Sequence, residues 1–238
     1  MNLFRHRKPF MMNIVLSLLL FFNSLGVTAT AEPRIPTEVH DYSSALQELQ
    51  KQSKKQPMEP VYALGIAAAN KLSLILEKLS PTQFHSVKDQ MLGFNVNREE
   101  IIYVNPDPLF FKNLARQKGQ DVDIAFIDLF YQTQPGLWPI YIEHREDYSG
   151  CTKYGSGLLV ALYGKWQKFQ QSFPLAYTIH VRNILDDIER RLTLGTNACG
   201  TTSDTINELK LFIKTYPKSE ISHELTRRIQ DMEEGKSK

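Results

Sequence analysis

Apolar residues recur at helical spacing along most of this chain. Between Val61 and Leu79 they fall at 61, 64, 68, 72, 75, 76 and 79, while Tyr62, Ile66 and Ala69 supply a second apolar side. A helix that is apolar on two sides is expected to be buried, so this stretch reads as the central element. Ser80-Pro81-Thr82-Gln83 then offers a capping hydroxyl, a proline at the first helical position and a glutamine placed to reach back. That predicts a helix from Pro81 to Leu92, stopped by Gly93. Upstream, Asp41 is placed to cap a helix running to about Lys55 behind an extended leader, Glu32 to His40.

Further along, the pattern predicts helices over Pro108–Lys118 and Val122–Gln134, divided at Gly119, and an aromatic-rich helix ending near Ser172 that carries Tyr163, Trp166 and Phe169. Pro174 opens a long helix with the stripe Val181, Ile184, Leu185, Ile188 and Leu192, ended by Gly195. Its other face pairs Asp186 with Arg190 and Asp187 with Arg191, which reads as a solvated face. Two β-rich runs, Arg98–Val104 and Trp138–Ile142, are short and isolated, and the expectation is that they pair as one antiparallel ribbon. Ser203–Tyr216 and Ser219 to about Glu234 form a helical hairpin around Pro217. The fold class is mainly α: about eight helices in one domain over residues 32–238, with a two-stranded β-ribbon and a C-terminal helical hairpin.

In that hairpin, Leu211-Phe212-Ile213-Lys214-Thr215-Tyr216-Pro217-Lys218-Ser219 resembles the turn between helices in tetratricopeptide-like repeats of bacterial envelope proteins. The resemblance covers one helix pair, and no second copy follows at the ~34-residue period of a solenoid. It implies a helix-turn-helix and assigns no functional residue.

The first 31 residues follow a different logic. Arg5, Arg7 and Lys8 precede an apolar run from Phe10 to Phe22, and small residues lead to Ala29-Thr30-Ala31. This is the layout of an export signal cleaved after Ala31. The run falls short of the ~20 apolar residues that span a bilayer, and no long apolar segment follows, so no membrane span is expected after cleavage. The segment holds three of the 28 Lys and Arg and none of the 26 acids, so its removal takes the net charge from +2 to −1. A near-neutral chain lacks the basic footprint that nucleic acid demands.

Export also decides how the cysteines are read. Cys151 and Cys199 are the two in the chain, and an even count in an oxidising compartment predicts a disulfide. The expected location is the periplasm or the exterior.

The densest cluster of titratable groups lies between the second β-rich run and the aromatic helix. Within it, Glu143, His144, Asp147, Tyr148, Lys153 and Tyr154 are the candidate ligand or acid–base residues. Gly155-Ser156-Gly157 lacks the glycine two positions before its serine that a nucleophile elbow requires. His-Glu-x-x-His and glycine-rich phosphate loops are missing from the sequence, and His144-Arg145-Glu146 is not followed by Pro-Cys-x-x-Cys. Asp121 and Asp123 suit a helix N-terminus better than a cation site. No cofactor or metal is therefore expected. Two functions remain: a binding or adaptor module of the cell envelope with a protein or glycan partner, or an envelope-directed hydrolase using Glu143, His144 or Asp147. Whether the protein is an enzyme is left open by its motifs.

Overall fold

The reason α2 (Glu59–Ser73) sits at the centre is visible in its small residues. Gly65, Ala68 and Ala69 are buried along with Val61, Tyr62 and Leu72, which lets neighbours approach its backbone. A Cβ at Gly65 would lie 2.7 Å from the Phe94 ring and 2.9 Å from Tyr42. The computed structural model describes residues 33–144, 150–195 and 197–236. The expected export signal, Asp147 and Tyr148 lie outside the described residues. From Arg34 onward the chain gathers into one unit.

That unit is mainly helical. Among the described residues nine α-helices are present. The first, α1 (Thr37–Lys51), packs on α2 through Val39, Tyr42, Leu46 and Leu49. It begins four residues before Asp41, because Pro36 sets an extended entry and burying Val39 and Tyr42 recruits the preceding turn. The predicted continuation of α2 to Leu79 instead breaks into a 3₁₀ turn at Leu76–Lys78. Leu76 and Leu79 are buried there while Leu74 is exposed, so the chain has changed direction to keep its apolar side inward. In α3 (Pro81–Gln90) the capping box forms with both reciprocal hydrogen bonds.

The single ribbon expected between 98–104 and 138–142 is not formed. Two local hairpins replace it. β1 (Phe94–Asn97) pairs with β2 (Tyr103–Pro106), with Val96 opposite Val104. The charged residues 98–100 lie in the turn between them, which Asn97 braces by donating to the Ile101 carbonyl at 2.7 Å. β3 (Ile142–His144) pairs with β4 (Gly150–Thr152), with Glu143 opposite Cys151. Each strand takes its nearest partner in sequence, the choice that costs least loop entropy.

After β2 come α4 (Pro108–Lys118), capped by Asp107, and α5 (Asp121–Thr133). Asp123 of α5 is 1 % exposed and does more than favour a helix start. Its carboxylate accepts from the Gln120 and Met58 amides at 2.7 and 3.1 Å and from the Tyr177 hydroxyl at 2.6 Å. Three segments are tied to one side chain. This also explains why α7 (Thr178–Leu194) starts four residues later than Pro174 suggests. Tyr177 is held at φ 53°, a conformation unusual for a non-glycine residue, by Asp123 on its hydroxyl and Glu59 on its amide. Its ring stacks on Phe126 at 3.7 Å.

The C-terminal part is joined in a similar way. Glu208 of α8 (Thr202–Thr215) is 1 % exposed and accepts from the Gly157 and Val160 amides. It therefore caps α6 (Leu158–Ser172) from another helix, at the end where a negative charge is favoured. Arg228 of α9 (Ser222–Glu233) donates to the carbonyls of Arg191, Leu192 and Gly195, closing the C-terminus of α7. The α8–α9 helix pair is the predicted hairpin. Among the described residues no helix is long and apolar enough to cross a membrane.

Candidate functional site

A cleft of about 460 Å³ opens between α7 and the segment that links α5 to β3. One wall is Trp138, Pro139, Tyr141 and Ile142, and the other is Asn183, Ile184, Asp187 and Arg191. The linking segment is not a strand, although Trp138–Ile142 reads as one. It is folded into a tight arch in which the Ile140 amide donates to Thr133 and the Ile142 amide to Pro139. Only Ile142 enters β3. The arch rests on Thr133, whose hydroxyl accepts from the Trp166 indole at 2.9 Å in the core.

The wall behind the cleft is fastened covalently. Cys151 and Cys199 form the disulfide, joining β4 to the segment after α7. The same two segments exchange backbone hydrogen bonds, Thr152 N–H to Asn197 and Cys199 N–H to Thr152. Gly150 sits beneath Ile142, where a Cβ would fall 2.7 Å from the isoleucine methyl. A larger residue there would push β4 away from β3.

At the back of the cleft, Tyr141 is buried and donates its hydroxyl to Asp187 Oδ2 at 2.7 Å. Burial, together with the adjoining carboxylate, pushes the phenol far above its ordinary pKa. Arg190 reaches Asp187 Oδ1, and Arg191 Nε lies 3.4 Å from Oδ2. Burial alone would raise the Asp187 carboxyl. The Tyr141 hydrogen bond and the two guanidinium groups outweigh it, so its pKa is lowered. Of the face read as solvated, Asp186 and Arg190 are exposed while Asp187 and Arg191 are half-buried, and Arg190 pairs with Asp187, not with Asp186. Arg191 is held on several sides: Nη1 is 3.4 Å from Thr152 Oγ1, and its carbonyl accepts from Tyr154 and Arg228.

A second hollow of about 300 Å³ is lined by Thr152, Arg190, Arg191, Leu194, Gly195 and Asn197. Arg191 lines both.

The residues nominated from sequence are placed differently. Glu143 and His144 are exposed on β3, and the His144 ring lies 5.6 Å from that of Trp138. Lys153 donates its backbone amide to Tyr141. Tyr154 is a brace, its hydroxyl bonded to the Arg191 carbonyl at 2.7 Å. None of these four lines the cleft. Asp147 and Tyr148 fall outside the described residues. Sequence reasoning missed Trp138, Asn183, Asp187 and Arg191. The available signal was the Asp187–Arg191 spacing, which is identical on a solvated helix and on one wall of a cleft.

Among the described residues no group of His, Cys, Asp or Glu is arranged to hold a metal ion. Compared with known proteins, the chain matches no family model, and no curated protein or solved structure is significantly similar to it.

Proposed function

We propose that the protein is an exported binding module of the cell envelope, and that its ligand seats in the cleft between the arch and α7. One observation carries the reading. The cleft combines an apolar lining, from Phe130, Ile142, Ile184 and Trp138, with a few converging polar groups on a braced wall, the usual make-up of a ligand site. Trp138 keeps 38 % of its surface exposed although it stands on an arch closed by two backbone hydrogen bonds. The hydrolase reading is less favoured because Glu143 and His144 are exposed and neither lines this cleft; its third group, Asp147, lies outside the described residues. Export is supported by the leader and by the disulfide, which persists in oxidising compartments.

The test uses protein isolated from intact cells without denaturation. Its N-terminal mass is expected to begin at Glu32, and the protein is expected to fractionate with the envelope. Native mass spectrometry is expected to show a bound mass on the wild type that is lost from Asn183→Trp, which fills the exposed side of the cleft, and kept by His223→Trp on α9. Cytosolic protein retaining Met1 would overturn the address. A bound mass unchanged in Asn183→Trp, or none in either protein, would overturn the cleft.

A further inference from the structure

We infer that the two hollows around Arg191 take one molecule, an apolar group ending in a carboxylate. This rests on the cleft being the ligand site and adds the chemistry of its ligand. The larger hollow is apolar over Ile142, Ile184 and Trp138, whereas the smaller is more evenly mixed, with polar groups from Thr152, Arg190, Arg191 and Asn197 beside Leu194. A single guanidinium borders both. A ligand filling the pair therefore meets a larger share of polar groups beyond Arg191.

Charge sets the sign and the size of the polar end. Asp187 is already met by Tyr141, Arg190 and Arg191, and two guanidinium groups against one carboxylate leave one positive charge at the junction. A monoanion matches it. Among the described residues the other charged groups nearby do not reverse this. Asp186 is the exposed neighbour of Asp187 on the outer side of α7, Glu143 and His144 point outward from β3, and Arg228 is engaged with the carbonyls at the end of α7. Arg191 is also positioned before any ligand arrives, through Asp187 on Nε and Thr152 on Nη1. A guanidinium held in place presents a planar fork suited to a carboxylate, and little of its freedom is left to lose on binding.

The same chemistry has two sources, the C-terminus of a peptide and a free fatty or aromatic acid. N-acetyl-leucine and octanoate stand for them, each compared with its amide by isothermal titration of the full mature chain. Both acids, or the one representing the true source, are expected to bind at least about ten-fold tighter than the amide, the usual size of a charge-assisted hydrogen bond. Arg191→Lys keeps the charge but loses the fork, and it is expected to remove most of the acid-over-amide ratio. Trp138→Ala is expected to weaken acid and amide alike. Thermal midpoints within a few degrees of wild type show that both variants fold. Equal affinity for acid and amide, with Trp138→Ala still weakening both, would overturn the carboxylate and keep the cleft. Affinities untouched by Trp138→Ala would overturn both. No binding of either acid at 10 mM would overturn the inference.

Discussion

Two aspartates in this protein accept a hydrogen bond from a tyrosine hydroxyl, and their surroundings differ in kind. Asp123 is buried with Tyr177 at 2.6 Å, and its other partners are two backbone amides. Asp187 is half-buried with Tyr141 at 2.7 Å, and its other partners are two arginines at the edge of a cleft. Backbone donors cannot leave, so Asp123 fixes where α2, α5 and α7 meet. Arg190 and Arg191 are charged and border open hollows, so the proposed ligand meets the Asp187 cluster with no change in the fold. A similar tyrosine–carboxylate pair thus serves as scaffold in one place and lines a cleft, the proposed site, in the other.

The largest expected effect breaks the scaffold side. Asp123→Ala leaves the Met58 and Gln120 amides and the Tyr177 hydroxyl without their acceptor, at roughly 1–3 kcal/mol for each buried unsatisfied group. Chemical denaturation is expected to show a loss of about 3–5 kcal/mol. A loss below about 1 kcal/mol would mean that the hub adds little to stability.

Next in size is the staple. Replacing Cys151 and Cys199 by serine removes a cross-link whose sequence separation is 48, and the chain-entropy model sets its worth at up to roughly 4 kcal/mol. Hydrogen exchange is expected to speed up most in β4 and residues 197–199. Uniform acceleration along the chain would contradict a local fastening of the cleft wall.

A pH effect sharpens the scaffold further. His180 packs against the rings of Tyr62 and Phe126, and burial lowers its pKa in the folded state. Below the unfolded value of about 6.5 the unfolded chain takes up a proton that the folded chain refuses. Stability from this group is therefore complete above that pH and declines as the pH falls toward the lowered folded value. His180→Gln is expected to flatten the stability profile in that window. An unchanged slope would show that His180 is not its cause.

The smallest stability change should come from the site side. Asp187→Asn is expected to cost about 1 kcal/mol or less, since its ion pairs are partly solvated. Its carboxylate, with a folded pKa below the unfolded value, stabilises the fold above about pH 4 and loses that effect as the pH falls through the folded value. The asparagine variant is expected to lose this acid-limb contribution. A loss as large as that of Asp123→Ala would erase the distinction between the two aspartates.

The same distinction explains what was legible in the sequence. Elements fixed by local patterns were readable: the Ser80–Gln83 capping box, the buried α2, the α8–α9 hairpin and the pairing of the two cysteines. Side chains that act across the fold were not. Asp123, Glu208 and Arg228 close helix ends or loop segments from distant positions, and nothing in their neighbours signals it. Strand pairing failed for a related reason, because apolar runs at 101–104 and 138–142 show β character without naming a partner. In the candidate site, titratable density pointed to Glu143 and His144, whereas the cleft is lined by Trp138, Tyr141, Asp187 and Arg191. Density along the chain measures how polar a loop is, while convergence depends on which wall α7 turns toward the arch.

Photo-crosslinking in intact cells tests the central claim most directly, with a benzophenone side chain placed at position 138 and, in a separate strain, at position 223. The cleft as binding site predicts a discrete adduct from 138 that disappears in Asn183→Trp, and none from 223. Equal labelling from both positions, or labelling from 138 that survives Asn183→Trp, would contradict it.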